Sequence, residues 1–330
     1  MTPTDSLFAS LDLGSNTVRL LIAERDPDRE FRPLRIERRI TRLGGGFSLS
    51  GHLHPDSQKR TLEALQEFAA LLKKEGVVRV FAAATGVIRE ARNGKDFLAR
   101  IQEQTGIPPR LLTGEEEGEL MLRGVLWGVP KGIPVGMAVD IGGWSTEVLW
   151  IEDEKIRKIR SAPLGAVSLC ENFLKSDPPT LAEIHSLAQY LREAAAEFFH
   201  EFEESGWRND GQTPLVGTAG TITTLAAIDL KLDGYDSQKV TGHRISRRTL
   251  EQLFSSLASL TKEKRRQVPG LEEGREDLIL SGTQIVLRLM EGLGFDSLLI
   301  VDSGLLEGVM LEGIRDDSKF KIQLRLLQHN

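Results

Sequence analysis

Short apolar runs alternate along the chain with longer stretches in which apolar residues recur every three or four positions. The short runs predict buried strands, and the three-and-four spacing predicts amphipathic helices. The first third of the chain is therefore expected to form three strands and then alternating helix and strand. Predicted strands cover residues 7–13, 18–23, 34–40 and 77–83, and predicted helices cover residues 55–76, 94–105 and 114–127.

The same order of elements begins again near residue 133. Predicted strands cover residues 135–140, 147–151, 156–161, 214–217 and 298–301, and predicted helices cover residues 180–204, 222–227, 246–260, 275–292 and the C-terminus. Each half has an Asp-Gly turn between two strands, at Asp12-Leu-Gly-Ser-Asn-Thr17 and at Asp140-Ile-Gly-Gly-Trp-Ser-Thr146. The turns lie a domain-sized distance apart, so an internal duplication is the simplest interpretation.

At 330 residues the chain is longer than one hydrophobic core usually supports, which favours two domains. Two similar α/β lobes that face each other would bring both Asp-Gly turns into one cleft. Clefts between lobes are common ligand sites. The pattern therefore predicts an α/β protein of two related domains with a ligand between them.

Composition adds a cellular setting and argues against two kinds of partner. The one cysteine, Cys170, cannot form an intramolecular disulfide, and the N-terminus lacks the basic and apolar parts of a secretory signal. We therefore expect a cytoplasmic protein. No apolar stretch approaches the roughly 20 residues that span a bilayer. The formal net charge of -6 argues against a general nucleic-acid binder. Cys170 lies in an apolar stretch and is interpreted as a small buried side chain, not a nucleophile.

Three glycine-rich turns are candidate phosphate sites. Gly and Ser/Thr residues expose backbone N–H groups and hydroxyls, and the missing side chains let phosphate oxygens approach the main chain. The third turn also opens a helix, whose first N–H groups attract anions. Each turn alone could instead be a structural hairpin or a helix cap. The turns are Gly14-Ser-Asn-Thr17, Gly142-Gly143 with Ser145, and Gly217-Thr-Ala-Gly-Thr221.

Acidic residues beside these turns suggest Mg2+ and a general base. Asp12, Asp140 and Glu147 are candidate ligands, because Mg2+ prefers carboxylate oxygens, water and substrate phosphates. Glu147 could also be a solvent-facing strand residue. The segment Thr113-Gly-Glu-Glu-Glu-Gly118 places three carboxylates at a helix start, where they could cap the helix or activate a water molecule.

Taken together, these motifs resemble the exopolyphosphatase and guanosine pentaphosphate phosphohydrolase (Ppx/GppA) family. The similar segments run in the family's order over almost the whole chain. They are Asp12-Leu-Gly-Ser-Asn-Thr-Val-Arg19, Thr41-Arg-Leu-Gly-Gly-Gly46, Ala84-Thr-Gly-Val-Ile-Arg-Glu-Ala-Arg-Asn93, Gly114-Glu-Glu-Glu-Gly118, Val139-Asp-Ile-Gly-Gly-Trp-Ser-Thr-Glu147, Leu164-Gly-Ala-Val167, Gly217-Thr-Ala-Gly-Thr221 and Asp302-Ser-Gly-Leu-Leu-Glu-Gly308.

The resemblance implies a fold and a set of residue roles. The fold is a duplicated ribonuclease H-like, actin-like arrangement in a short form, with a first domain of residues 1–124 plus about 306–330 and a second of residues 125–305. Glu117 is implied as the general base. Asp12, Asp140 and Glu147 form the Mg2+ environment that the residues and the resemblance together suggest. The phosphate-binding residues predicted are Gly14, Ser15, Asn16, Arg19, Arg89, Gly142, Gly143, Ser145, Gly217, Thr218, Gly220 and Thr221.

Three residues depart from the family's pattern. Trp144 stands where a third glycine is usual after Asp-Ile-Gly-Gly, and its Cβ would cost about 1 kcal/mol if the backbone there needed positive φ. Its indole could overhang the phosphate path or stack on a nucleobase. Glu119 and Leu306 stand where arginines are usual, which removes two positive charges.

The resulting hypothesis is a Mg2+-dependent hydrolase. It would release terminal orthophosphate from polyphosphate, or convert the stringent-response nucleotide pppGpp to ppGpp, with water activated by Glu117. Its partner would be this polyanionic substrate, with no nucleic acid and no membrane, and a homodimer is compatible with the sequence. Two alternatives are a polyphosphate or alarmone sensor without turnover and an ATP-dependent small-molecule kinase of the same fold.

Overall fold

The computed structural model describes residues 7–77, 79–209, 211 and 213–316. Its backbone contacts divide the chain into two compact units. Unit 1 combines the chain up to Trp127 with the segment from Leu305 onward, and unit 2 runs from Gly128 to Gly304. The predicted first domain also includes residues 1–6 and 317–330, and one predicted strand includes residue 78; these lie outside the described residues.

Unit 1 contains one five-stranded sheet and its helices. The strands are β1 (Leu7–Leu13), β2 (Thr17–Asp26), β3 (Glu30–Ile40), β4 (Arg79–Ala84) and β5 (Arg110–Leu111). The helices are α1 (Phe47–Ser50), α2 (Pro55–Glu75), α3 (Val87–Glu90), α4 (Gly94–Thr105), α5 (Gly114–Gly128) and, from the end of the chain, α13 (Leu305–Arg315).

The order of the unit 1 sheet is β3-β2-β1-β4-β5. Strands β1, β2 and β3 are antiparallel neighbours, while β4 runs parallel to β1 and β5 parallel to β4. The central strand β1 is almost entirely buried, which explains its continuous apolar run. The edge strand β3 is exposed or half-buried except at Phe31. Helix α2 begins with Pro55 at its first position and stops at Gly76 in the left-handed conformation, as its sequence predicts.

Unit 2 contains a six-stranded sheet and seven helices among its described residues. The strands are β6 (Met137–Ile141), β7 (Thr146–Glu152), β8 (Lys155–Ala162), β9 (Leu215–Thr218), β10 (Arg244–Ser246) and β11 (Ser297–Ile300). The helices are α6 (Ala166–Phe173), α7 (Leu181–Glu204), α8 (Ala219–Asp229), α9 (Ser237–Val240), α10 (Arg247–Ala258), α11 (Lys262–Arg265) and α12 (Leu278–Leu293).

The unit 2 sheet repeats the arrangement of unit 1 and adds one strand. Its order is β10-β11-β9-β6-β7-β8, so β8, β7, β6, β9 and β11 follow one another as β3, β2, β1, β4 and β5 do. The directions also agree, because β6, β7 and β8 are antiparallel neighbours and β9 runs parallel to β6. This confirms the predicted α/β class and the duplicated, actin-like fold.

Each unit has its own apolar core. In unit 1 the sheet packs against α13 through residues such as Phe81 and Met310. In unit 2 helices α7, α8, α10 and α12 contribute to a larger core around Phe202 and Ile300. Helix α8 is buried on nearly all sides, and its sequence has no charged residue before Asp229 at its end. None of the helices in the described ranges is long and apolar enough to cross a membrane.

Cys170 is inert by position. It is half-buried on α6, and burial together with the neighbouring Asp277 raises the pKa of its thiol to about 12. The thiol donates a hydrogen bond to the Asp277 carbonyl at 3.4 Å. The protonated thiol at neutral pH agrees with the interpretation of Cys170 as a packing residue.

Candidate functional site

The two Asp-Gly turns have the same backbone hydrogen bond. The N–H of Gly14 donates to the carbonyl of Thr17 at 3.1 Å, and the N–H of Gly142 donates to the carbonyl of Ser145 at 2.9 Å. A Cβ on either glycine would lie about as close to the same carbonyl, at 3.1 and 3.0 Å. The turns therefore share one tight geometry that favours glycine at this position.

Two loops hold the first turn in place. The carbonyl of Ser15 accepts from Gly44 at 2.7 Å, and the carbonyl of Asn16 accepts from Thr41 at 3.0 Å. The Ser15 hydroxyl accepts from the N–H of Val87 at 3.0 Å, which ties the turn to the start of α3. Each loop belongs to one of the segments in which the sequence resembles the Ppx/GppA family. Their role in unit 1 is to fix the turn that they contact.

The second turn is held by the start of α6. The carbonyls of Gly142 and Gly143 accept from the N–H groups of Ala166 and Val167 at 3.0 and 2.8 Å. These are first-turn N–H groups of α6, which have no partner inside the helix. The carbonyls of the turn therefore act as hydrogen-bond acceptors for N–H groups that have no acceptor within α6.

Trp144 lies on this turn without backbone strain. Among the described residues, the non-glycine positions with positive φ do not include Trp144, so the cost considered for a Cβ there does not arise. Its half-buried ring packs against a small apolar cluster of Ala166, Val167 and Leu278. Packing against α6 and α12 thus covers at least part of the indole surface.

Register places the predicted acidic residues at equivalent positions of the two sheets. In unit 1, Asp12 of β1 lies directly opposite Arg19 of β2, and Arg19 lies opposite Arg38 of β3. We call Asp12, Arg19 and Arg38 the basic row. Side chains of directly opposite residues share one face of a sheet, so these three are neighbours.

In unit 2, Asp140 of β6 lies directly opposite Glu147 of β7, and Glu147 lies opposite Ser161 of β8. We call Asp140, Glu147 and Ser161 the acidic row. On the other side, Asp140 pairs with Thr218 of β9, the second residue of the third glycine-rich turn. The predicted metal and phosphate residues of unit 2 are thereby brought onto neighbouring strand ends.

The carboxylates of the two rows have different surroundings. One oxygen of Asp12 accepts from Arg19 Nε at 3.1 Å and from Arg19 Nη2 at 2.8 Å. The other Asp12 oxygen, Oδ1, is buried without a hydrogen-bond donor among the described residues. Glu147 is 2% exposed, and its Oε1 accepts from the Ser161 hydroxyl at 2.6 Å. Asp12 therefore has a guanidinium beside it in the sheet, whereas Asp140 has a second carboxylate.

The donor set of the acidic row suits Mg2+. Like charges directly opposite in a sheet destabilise it, and a divalent cation between Asp140 and Glu147 would remove that repulsion. Mg2+ is commonly bound by one or two carboxylates with waters and substrate phosphates. In the part of the chain that the structure describes, no group of three or more Asp, Glu, His or Cys residues is arranged as a metal site.

The predicted base and one predicted phosphate ligand contact each other in unit 1. Arg89 Nη1 donates to Glu117 Oε2 at 3.1 Å and to the carbonyl of Leu112 at 3.0 Å. Glu117 lies in the first turn of α5 with 9% of its surface exposed. The guanidinium therefore holds a buried carboxylate in one orientation at the start of a helix.

The three neighbouring glutamates divide into different roles. Glu116 forms a capping box, because its carboxylate accepts from Thr113 N at 2.9 Å and its N–H donates to Thr113 Oγ1 at 3.2 Å. Glu115 is exposed, whereas Glu117 is buried beside Arg89. Capping of α5 thus accounts for Glu116, but it does not account for the burial of Glu117 beside Arg89.

The third turn presents backbone N–H groups at the start of α8. Ala219, its first helical residue, has φ of 70°, a left-handed value that costs a non-glycine residue about 1 kcal/mol or more. A left-handed residue followed by right-handed ones turns successive N–H groups toward one side and forms an anion-binding concavity. The Thr218 hydroxyl is used within unit 2, since it donates to the Ser303 carbonyl at 3.0 Å.

Arg275 lies beside the third turn and is not identified by the sequence analysis. Its guanidinium packs directly on Gly220, where an added Cβ would lie only 2.0 Å from Arg275 Nη2. The residue is 9% exposed, and its Nε donates to Glu272 at 2.6 Å. The one signal in the sequence is an arginine just before an apolar helix, which is too common to single out.

A model of the Ppx/GppA phosphatase family matches residues 21–316. The chain belongs to this family. Its sequence and structure are also similar to individual relatives over nearly their whole length.

Exopolyphosphatase 2 of Mycobacterium tuberculosis is 32% identical over 315 residues, covering 92% of this chain and 97% of that protein. The Ppx/GppA family member of Aquifex aeolicus, a solved structure, has a TM-score of 0.76 at 32% identity and covers 94% of this chain and 98% of its own. An exopolyphosphatase structure from Cytophaga hutchinsonii has a TM-score of 0.84 at 26% identity, with coverage of 94% and 98%.

Within this Ppx/GppA chain, the two missing arginines have different surroundings. Glu119 is exposed on α5, so its charge is solvated. Leu306 is 1% exposed and belongs to the core of unit 1 together with Leu120 and Val309. Leu306 therefore has a packing role here in place of a charged one.

Proposed function

We propose that this Ppx/GppA chain is an exopolyphosphatase that releases terminal orthophosphate from inorganic polyphosphate. The arrangement that supports the proposal most directly is the buried Glu117 carboxylate held by Arg89 at 3.1 Å. Membership of a phosphatase family and a relative named exopolyphosphatase support the reaction class. The cytoplasmic location and the homodimer stay predictions from the sequence.

Glu117 would act as the general base. A carboxylate at the start of a helix, oriented by a guanidinium, can accept a proton from a water molecule as that water attacks phosphorus. The phosphoryl group passes through a loose transition state, so positioning and charge neutralisation contribute most of the acceleration. Arg89 would keep Glu117 oriented and also face the phosphate oxygens.

Substrate phosphates would be bound by N–H groups and cationic side chains. The first and second glycine turns would supply the N–H groups of Ser15 and Gly143, because those of Gly14 and Gly142 donate within the turns. The third turn supplies those around Gly220, next to the Arg275 guanidinium. Hydrogen bonds from charged donors to phosphate are stronger than neutral ones, so the arginines would contribute most of the affinity.

Mg2+ would be held by Asp140 and Glu147, which lie directly opposite each other on β6 and β7. When bound, Mg2+ would neutralise phosphate charge. Release of phosphate should therefore require Mg2+ in the assay. The hydrolysis of pppGpp to ppGpp uses the same bond type and is proposed as a second activity of this site.

The test is phosphate release by the purified full-length protein from polyphosphate, pppGpp and ATP, each with and without Mg2+. We expect release from polyphosphate in Mg2+ and a fall of about 100-fold or more in Glu117→Gln, because general base catalysis contributes that much. Polyphosphate binding should be largely kept in this variant.

The matched control is Glu115→Gln, an exposed glutamate of the same helix turn, which should hydrolyse polyphosphate at the wild-type rate. Equal turnover in wild type and Glu117→Gln would refute the base assignment. Phosphate transfer from ATP to an acceptor would favour the kinase alternative, and binding without any release would favour the sensor.

A further inference from the structure

The apolar core of unit 1 continues to the last strand of its sheet. Strand β3 is at the edge of the sheet, and Ile36 of β3 lies directly opposite Leu21 of β2. Side chains of directly opposite residues share one face of a sheet. Leu21 is fully buried in the core that includes α13, whereas Ile36 is 53% exposed. The core-facing side of the sheet therefore ends in an apolar side chain that the described residues leave half exposed.

The opposite face of β3 is charged and forms ion pairs with α2. Arg39 Nε donates to Glu67 of α2 at 3.1 Å, and Arg35 Nη1 donates to Glu75 of α2 at 3.5 Å. A segment that covered the edge of β3 would therefore need apolar residues on the side of Ile36 and polar residues on the side of α2. Such alternation is typical of a strand with one buried face.

Two contacts fix the place where the chain leaves α13. Arg315, the last residue of this helix, donates to Glu30 at 2.6 and 3.1 Å, and the Ile314 carbonyl accepts from Arg25 of β2 at 3.5 Å. Glu30 is the first residue of β3, so the residues after α13 begin beside the start of that strand. An extended residue spans about 3.3 Å, and neighbouring strands lie about 4.8 Å apart. Two or three residues therefore reach the position beside β3.

The sequence that follows α13 has the alternation that this edge needs. Residues 319–326, Lys-Phe-Lys-Ile-Gln-Leu-Arg-Leu, alternate strictly between polar and apolar side chains. Strict alternation over eight residues predicts a strand with one buried face. Eight extended residues span about 26 Å, which is enough to pass Ile36 from a start beside Glu30. The Ppx/GppA family model matches only as far as residue 316, so this segment lies beyond the match to the family.

We propose that residues 319–326 bind along the edge of β3 in the same molecule and add a sixth strand to the sheet of unit 1. The strand runs parallel to β3, because it starts beside Glu30. Its four apolar residues cover Ile36, and its polar residues face the side of α2. Backbone pairing begins after Pro33, which has no N–H group to donate. Because unpaired edge strands are sites of self-association, the segment also prevents β3 from pairing with a second copy of the chain.

Hydrogen–deuterium exchange of the full-length protein tests the proposal without using turnover. Peptides that cover β3 and residues 317–330 are followed by mass spectrometry in wild type, Leu324→Asp and Gln323→Asp. The two substitutions add the same charge at neighbouring positions, but only Leu324 belongs to the apolar side of the segment. Circular dichroism checks that each variant is folded.

We expect slow exchange in β3 and in residues 319–326 of wild type, because the N–H groups on the outer side of β3 gain acceptors. Leu324→Asp should raise the exchange rate of both peptides about tenfold or more, whereas Gln323→Asp should match wild type. Ile36→Asp should raise the exchange of residues 319–326 in the same way. Its matched control is Leu49→Asp on α1, where the side chain is already 92% exposed, and exchange there should stay at the wild-type rate.

Three outcomes would overturn the proposal. They are exchange of residues 319–326 in wild type at the rate of an unstructured peptide, equal exchange in Leu324→Asp and Gln323→Asp, and protection of β3 that rises with protein concentration together with a dimer in analytical ultracentrifugation. The last outcome would assign the edge of β3 to a second copy of the chain. A failure to release phosphate would refute only the proposed function, because exchange does not depend on turnover.

Discussion

Gly220 shows how one missing side chain arranges the chemistry around it. The Arg275 guanidinium occupies the space that a Cβ would need, 2.0 Å from Nη2 and 2.3 Å from the central carbon. The obstructed group is the end of a flexible side chain. A larger residue at position 220 would therefore move the arginine more readily than it would disturb the fold.

We expect the replacement of Gly220 by alanine to weaken polyphosphate binding with little change in the stability of the protein. The displaced Arg275 should raise the KM for polyphosphate about tenfold, since a charged hydrogen bond contributes about 1.5–3 kcal/mol. Stability to urea should stay within about 1 kcal/mol of wild type or rise slightly, because alanine favours the helix more than glycine does. Gly234→Ala is the control, since no atom lies within 4 Å of its added Cβ. An unchanged KM in Gly220→Ala would remove Arg275 from the proposed site.

At the residue scale, the sequence analysis finds groups that are close along the chain. The Asp12 and Asp140 turns stand out because aspartate, glycine and hydroxyl residues are adjacent in each. Arg275 and Gly220 meet only through the packing of the segment before α12 on the start of α8, and no local pattern encodes that contact. The pairing of Asp12 with Arg19 depends on hairpin register, which the sequence analysis did not use.

At the scale of elements, a hydrogen-bonded carboxylate at the end of a helix can make the stability of the protein depend on pH. Helix α7 begins with a capping box in which Thr180 accepts from Glu183 N and Glu183 accepts from Thr180 N at 2.8 Å. The same carboxylate also accepts from the N–H groups of Lys175 and Ser176 at 2.9 and 3.0 Å. These bonds, with that from Thr180 first, lower the pKa of Glu183 from 4.5 to about 2.

The lowered pKa of Glu183 predicts a pH-dependent difference between wild type and Glu183→Gln. Because the folded pKa is below the unfolded value, the stabilisation is present above pH 4.5 and is lost as the pH falls toward 2. Thermal unfolding followed by circular dichroism should show wild type with the higher Tm above pH 4.5 and a shrinking difference below it. Glu193→Gln, on the exposed side of α7, should follow the wild-type curve. A Tm difference that is constant with pH would contradict the capping role.

The elements that deviate from the sequence prediction do so for physical reasons. Strand β3 begins at Glu30, earlier than the predicted residue 34, because an exposed edge strand needs no apolar pattern to pair with β2. Helix α12 begins at Leu278, later than the predicted residue 275. The three residues before it form the turn that presents Arg275 to Gly220. The spacing of apolar residues thus predicts where the strands and helices lie, whereas their first and last residues depend on contacts with other parts of the fold.

At the scale of the whole molecule, duplication provides two copies of one scaffold that have diverged in charge. The turn geometry is kept in both units, with the same hydrogen bond at Gly14 and at Gly142. The neighbouring strand position is Arg19 in unit 1 and Glu147 in unit 2, so its charge is opposite in the two units. The sequence predicts the repeat from its period, but it does not show that the two aspartates have different partners until the register is known.

This divergence predicts that Mg2+ stabilises unit 2. A ligand that binds only the folded state stabilises it by about 2.7 kcal/mol at 100 times its Kd. Urea unfolding followed by tryptophan fluorescence reports mainly on this unit, because Trp144, Trp150 and Trp207 lie in it and only Trp127 lies in unit 1. Mg2+ should move the unfolding midpoint to higher urea, whereas NaCl of equal ionic strength, which only screens charge, should not. Glu147→Gln should unfold at the same urea concentration with and without Mg2+, and a full Mg2+ shift in that variant would place the cation elsewhere in the protein.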